Sequence, residues 1–147
     1  MEPDMQTLEV GPALSDLIVR DCLERFPSVR LRVSGECMRP GLVAGDAVRL
    51  ASPARRPPRL GDVVLVRLPA GLRLHRLVWG PPLAPRGTRW RTKGDRSWLW
   101  DPLLDPHHVL ATVIDEGQGG GVWRALLSLL GGLWSRLRLV AAVPRRP

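Results

Sequence analysis

The sequence predicts a mainly β protein: a small folded sheet of barrel-like form, with a short helix before it and an amphipathic helix after it. Between residues 29 and 114, apolar or alternating runs of strand length follow one another, separated by Gly-Asp pairs and proline-rich stretches. The chain has 147 residues, 44% of them apolar, which suits one domain with a real core and does not favour two.

The N-terminal segment, residues 1–28, is acidic and contains one predicted helix between Pro12 and Phe26. Ser15 is a suitable N-cap for this helix, and Asp16 follows it directly. The predicted apolar face consists of Leu14, Leu17, Ile18 and Cys22. We therefore expect Cys22 to be a core residue.

Residues 29–116 form the predicted central domain. Residues 29–33 alternate between apolar side chains and arginine, as a half-exposed strand does. Further strands are predicted at 47–50, 63–66, 72–79, 90–92 and 109–114. Short strands joined by Gly-Asp turns are typical of barrels and folded sheets.

The C-terminal segment, residues 117–147, begins with a glycine-rich linker and continues as a predicted amphipathic helix from Trp123 to Val143. Arg136 and Arg138 interrupt its apolar run, which leaves too short a stretch to span a bilayer. Basic flanks and two tryptophans suit a helix at the membrane surface. Packing against the domain or a partner is an equally open interpretation.

The net charge of +8 is weak evidence for a polyanion partner. Only Lys93 among the 22 basic residues is a lysine, and an arginine skew beside 15 Gly and 15 Pro is typical of a GC-rich coding sequence. The basic residues are not interleaved with aromatic ones as in nucleic-acid-binding motifs, so we do not expect a nucleic-acid partner. The opening residues lack the apolar core of a signal peptide, which predicts a cytoplasmic protein, with attachment to the membrane surface left open.

The stretch SGECMRP at 34–40 places one of only two cysteines in a polar segment between glycine and proline. A structural cysteine more often lies within an apolar run, so Cys37 is a candidate reactive thiol. The longer segment GECMRPGLVAGDAVRL at 35–50 resembles the nucleophile box of the superfamily that contains signal peptidase I and the SOS-repressor peptidases. That box carries Gly, any residue, Ser, Met, any residue and Pro, followed by Gly-Asp before a strand.

Further boxes occur in the order of that superfamily. RLGDVVLVR at 59–67 resembles its next Gly-Asp strand, LHRLV at 74–78 its general-base box, TKGDRSWLWD at 92–101 its Thr-Lys-Gly-Asp box and VLATVI at 109–114 its closing strand. Together the boxes cover roughly residues 29–115. The resemblance implies a signal-peptidase-like fold and proteolytic processing of a peptide or precursor protein.

The resemblance also implies roles for individual residues. Cys37 stands where the superfamily has its nucleophilic serine, His75 matches the base of its histidine branch, and Asp101 matches the acid that orients the base. A peptide substrate is expected to bind as an added strand beside the segment that leads to Cys37, with small side chains next to the cut bond. The implied substrate-binding residues are Gly35, Glu36, Met38 and Pro40, and no cofactor or metal is implied.

The chemistry of a thiol with an imidazole can be assessed without the resemblance. Moving a proton from a thiol of pKa near 8.5 to an imidazole of pKa near 6.5 is uphill by about two units, or roughly 2.7 kcal/mol. A cysteine and a histidine within hydrogen-bond reach therefore form a workable nucleophile and base. The alternative is a catalytically inactive member of the same fold that binds peptides or regulates a partner. We do not expect a metal at His107 and His108, because adjacent side chains on a strand point to opposite faces.

Overall fold

The computed structural model describes residues 7–9 and 15–114, which form one sheet and one α-helix. The elements in chain order are β1 (Thr7–Glu9), α1 (Asp16–Arg25), β2 (Val29–Arg32), β3 (Ala47–Ala51), β4 (Val63–Leu68), β5 (Gly71–Trp79), β6 (Arg91–Lys93) and β7 (Val109–Val113). A single 3₁₀ turn, Pro106–His108, precedes β7. The predicted mainly β character and the short helix are confirmed. The predicted C-terminal helix and its linker lie outside the described residues.

The seven strands follow the order β1-β2-β3-β7-β4-β5-β6. All neighbours are antiparallel except β1 and β2, which run parallel. The end strands β1 and β6 do not pair with each other, so within the described residues the sheet is not a closed barrel, and the barrel-like expectation is corrected. Both end strands have only three residues, which leaves little backbone with which to close a barrel.

Helix α1 begins where the sequence predicts. Ser15 caps it, and its hydroxyl accepts a hydrogen bond from the Ile18 N–H at 3.4 Å. The predicted apolar face is wrong in part, because the Leu17 and Ile18 side chains are 74% and 47% exposed. The helix instead buries Val19, Cys22 and Leu23, whose spacing of three and four residues puts them on one face.

Two Gly-Asp turns of the same construction lead into β3 and β4. Gly45 and Gly61 adopt φ values of +96° and +92°, which side chains disfavour. The carboxylate of Asp46 accepts the Val43 N–H at 2.9 Å, and that of Asp62 accepts the N–H of the residue three before it at 2.8 Å. Each pair therefore fixes the point at which its strand enters the sheet.

The centre of the sheet is covered on both faces. One face packs with α1 over a large apolar cluster that includes Leu31, Leu50 and Leu65. The other face carries a smaller cluster of Val64, Val66, Leu104 and Val109, with Trp90 packed against it. Because Trp90 and Leu104 also exchange backbone hydrogen bonds, the loop after β6 returns over this second face. In the described part of the chain, no helix is long and apolar enough to cross a membrane.

We predict that Leu65→Ala lowers the free energy of unfolding by about 2–5 kcal/mol, because Leu65 is completely buried and its truncation leaves a cavity. Leu17→Ala is the matched control and should change this free energy by less than about 0.5 kcal/mol, since Leu17 is mostly exposed. Urea unfolding of the two variants measures both effects. Equal losses would contradict the described packing of the helix and sheet.

Candidate active site

Cys37 lies in the turn that follows β2. Val33 still pairs with the Asp46 and Gly45 backbone at 2.8 Å, after which the chain leaves the sheet. The turn places the half-buried Cys37 thiol against β5, with its Sγ 3.6 Å from the Leu74 carbonyl oxygen. The nucleophile position of the sequence prediction is therefore held against the strand that carries the predicted base.

His75 lies on β5 and joins the other two predicted catalytic residues. Its Nδ1 is 2.6 Å from Oδ2 of Asp101, and Cys37 lies near the other ring nitrogen, Nε2. The ring is only 8% exposed. The structure thus brings Cys37, His75 and Asp101 together in one cluster.

Thr92 fixes the Asp101 carboxylate. Its hydroxyl donates to Asp101 Oδ2 at 2.6 Å, and its carbonyl accepts the Asp101 N–H at 2.9 Å. Asp101 Oδ2 accepts from both Thr92 and His75. Nδ1 is therefore the nitrogen that carries the proton in the neutral His75 ring. Thr92 was not predicted as a site residue, although it opens the Thr-Lys-Gly-Asp box.

Gly94 supplies the space in which Cys37 and His75 meet. A Cβ at this position would lie 2.8 Å from the Cys37 carbonyl oxygen, 3.3 Å from Cys37 Cβ and 3.3 Å from His75 Nε2. A side chain here would therefore push Cys37 and His75 apart. The sequence places Gly94 in a matched box but gives no sign of this close approach.

A buried ion pair lies behind the site. Arg76 is 2% exposed and binds both carboxylate oxygens of Asp95, at 2.8 and 2.6 Å. A third donor of Arg76 reaches the Gly61 carbonyl at 2.7 Å. Arg96, which follows Asp95 in the chain, donates its N–H to the Cys37 carbonyl at 2.9 Å. The loop after β6 is thereby fixed both to β5 and to the turn that carries Cys37.

Lys93 is the last residue of β6. Its side chain is 2% exposed, and burial lowers its pKa, while the neighbouring charges of Asp95 and Arg76 act in opposite directions. Asp95 is bound to Arg76. Asp101, rather than Asp95, is therefore the carboxylate that holds His75.

The pKa of His75 is set by opposing influences. Burial, the largest of them, lowers the pKa, but Asp101 and the neighbouring Cys37 together raise it from 6.5 to about 9. The ring therefore holds a proton more tightly than a free imidazole does, which suits acceptance of a proton from an adjacent thiol.

A groove of about 370 Å³ leads to Cys37 between the end of β2 and the first half of β5. Its lining consists of Val33, Ser34, Gly35, Glu36, Cys37, Met38, Arg73 and Leu74. Three of the predicted substrate-binding residues are in this set, whereas Pro40 is exposed and is not. The Cys37 N–H donates to no other group within residues 7–9 and 15–114, which leaves it available to a bound carbonyl.

His107 and His108 do not lie on a strand, contrary to the prediction. They lie in the 3₁₀ turn with ring centroids 4.1 Å apart, and together with Asp105 they bring three possible ligand atoms within 4.8 Å of one another. These residues could hold a divalent ion. They lie outside the groove, and Asp105 is ion-paired with Arg89 at 3.6 Å. That catalysis needs no metal stays a prediction.

No model of a known protein family matches the chain, and no curated protein sequence matches it. The assignment of an activity therefore depends on the geometry at Cys37, His75 and Asp101. In that geometry a half-buried thiol and a carboxylate contact the same imidazole at the end of an open groove.

We predict that Gly94→Ala slows alkylation of Cys37 by iodoacetamide at pH 7 by about tenfold, because the added methyl group separates the thiol from His75. Gly41→Ala is the control, since a Cβ there would meet its neighbours only at ordinary distances of 3.5–3.9 Å. Mass spectrometry of the labelled protein gives the rate. If Cys37 of Gly94→Ala were labelled at the wild-type rate, the described closeness of Gly94 to Cys37 and His75 would be wrong.

We predict that the protein loses stability as the pH rises from about 6.5 to about 9. The folded protein binds the His75 proton more tightly than the unfolded chain does, so this contribution is complete below the unfolded pKa of 6.5 and is lost through the folded pKa of about 9. The loss amounts to about 3 kcal/mol in the free energy of unfolding. Urea unfolding of wild type and His75→Gln across this pH range isolates the contribution of His75. If the free energy of unfolding falls equally with pH in both proteins, the loss does not come from His75.

Proposed function

We propose that this protein is a cysteine endopeptidase that cuts a peptide or precursor protein through a thioester formed on Cys37. His75 is the general base, and Asp101 orients it. One observation carries the proposal: a carboxylate is hydrogen-bonded to an imidazole that lies beside a thiol, where the groove meets β5. This is the arrangement that nucleophilic acyl transfer requires.

The raised pKa of His75 supports proton transfer from the thiol. With its pKa raised to about 9, the His75 ring is a stronger proton acceptor than an unperturbed imidazole of pKa near 6.5. The Asp101 carboxylate and the nascent thiolate both stabilise the imidazolium. Replacement of serine by cysteine is thus compatible with catalysis.

The proposed reaction has two stages. In the first, Cys37 gives its proton to His75 and its sulfur forms a bond to the carbonyl carbon, while the Cys37 N–H binds the developing oxyanion. The C–N bond then breaks as the imidazolium returns the proton to the leaving amine. In the second stage, water gives a proton to His75 and its oxygen displaces the sulfur, which regains that proton as a thiol.

The open strand edges on either side of the groove support an extended substrate. β6 pairs with β5 only from Arg76 onward, so within the described residues the first half of β5 has a single neighbour, β4. On the other wall, residues 34–36 lie beyond the last backbone pairing of β2 at Val33. A peptide can add to these edges as a strand, and the buried Met38 and Leu74 side chains at the groove suit small apolar residues.

The proposal includes membership of the histidine branch of the signal-peptidase and SOS-repressor peptidase superfamily, with residues 29–116 as the catalytic domain. It includes a cytoplasmic site of action. Membrane-surface attachment through residues 117–147 stays a prediction, because that segment lies outside the described residues.

We predict that wild-type protein cleaves members of a mixed peptide pool and that Cys37→Ala cleaves none of them. His75→Ala should lower the rate of cleavage by at least about a hundredfold through loss of the general base. Cys22→Ala is the matched control, because the second thiol is buried in the core and should leave cleavage near the wild-type rate. Mass spectrometry of the pool identifies the cut bonds, and a peptide with an electrophilic C-terminus should label Cys37 alone.

Cleavage by Cys37→Ala at the wild-type rate would overturn the thioester mechanism. If Cys37 is labelled at an unchanged rate in His75→Ala, His75 has no role in that mechanism. Peptide binding without cleavage by the wild type would favour the inactive, peptide-binding alternative.

A further inference from the structure

Arg73 lies two residues before His75 on β5 and lines the same groove as Cys37. Because strand side chains alternate between faces, Arg73 and His75 project from the same face of β5. Arg73 is exposed, whereas His75 is buried. A guanidinium is thus presented beside the base and at the open part of the strand edge.

The Arg73 guanidinium forms no ion pair with a carboxylate of residues 15–114. Within that part of the chain the guanidinium donates one hydrogen bond, from Nη1 to Leu72 O of its own strand at 3.1 Å. Other arginines of the site are occupied, since Arg76 binds Asp95 and Arg39 binds Glu36 at 2.9 Å. A guanidinium has five N–H donors, so Arg73 retains donors for a ligand.

The charge of the groove favours an anionic ligand. Its single acidic lining residue, Glu36, is countered by Arg39 at 2.9 Å and by Arg96 at 3.9 Å. With Glu36 matched in this way, Arg73 leaves the groove with excess positive charge. Arg73 would attract an acidic peptide side chain, and no uncompensated carboxylate in the groove lining would repel it.

The geometry points to Arg73 as a specificity determinant that binds an aspartate or glutamate side chain of the peptide substrate. This inference rests on the proposed peptidase function. A peptide residue paired opposite Arg73 places its side chain on the face that Arg73 occupies, with Cβ atoms about 4.5–5.5 Å apart. The selected acid therefore lies two residues from the peptide residue opposite His75, and its carboxylate can accept two parallel N–H bonds from the guanidinium.

The test compares cleavage of two peptide pools that differ only in having Asp and Glu, or Asn and Gln, at the varied positions. We expect wild-type protein to favour the acidic pool and the acid to occupy one fixed distance from the cut. Arg73→Gln should reduce the preference about three- to fivefold, as for an exposed ion pair, and Arg73→Glu should reverse it in favour of the amide pool. Arg86→Glu, a charge reversal at an exposed loop residue outside the groove, is the control and should keep the wild-type preference.

A second measurement separates this inference from the proposed function. Fluorescence anisotropy with the full-length Cys37→Ala protein compares binding of one acidic peptide with that of its amide counterpart, with and without Arg73→Gln. If the wild type cleaves both pools equally and Arg73→Gln changes nothing, the subsite is wrong while the peptidase stands. If nothing is cleaved, the peptidase fails, and the subsite stands only if the binding preference depends on Arg73.

Discussion

The geometry of the candidate site depends on the buried ion pair between Arg76 and Asp95. Hydrogen bonds from the Arg76 side chain to Asp95 and to the Gly61 carbonyl join β5 to the start of the loop after β6 and to the turn before β4. The residues on either side of Asp95 complete the connection, since Gly94 makes room for Cys37 and Arg96 holds the Cys37 carbonyl. A buried pair adds little net stability, but loss of one partner leaves an unpaired charge and costs about 3–5 kcal/mol. The pair therefore specifies position more than it stabilises the fold.

The side chains of consecutive β5 residues project from opposite faces of the sheet. His75 projects toward Asp101 and Thr92, while Arg76 projects toward Asp95 on the other face. A single loop supplies both carboxylates, which requires it to pass around the end of β6 between Asp95 and Asp101. The early end of β6 at Lys93 allows this passage. The same early end leaves the first half of β5 open to the groove.

Much of the fold and part of the site could be predicted from the sequence. Alternation and Gly-Asp turns located six strands, and box order selected Cys37, His75 and Asp101, which the structure brings together. The local sequence does not indicate which distant segments pair, so β1 and the open form of the sheet were not predicted. The burial of Arg76 was missed for a related reason, since arginine in a strand is usually solvated and only Asp95, nineteen residues later, makes its burial tolerable.

The open strand edge of β5 has a consequence beyond the proposed binding of a peptide. Unpaired backbone groups on a sheet edge are a template for self-association, and proteins commonly protect such edges with charged side chains. In the described structure, the first half of β5 combines an open edge with the exposed Arg73. Two copies that joined through these edges would bring like charges close together. The arginine that faces the groove thus also discourages edge-to-edge aggregation while the groove is empty.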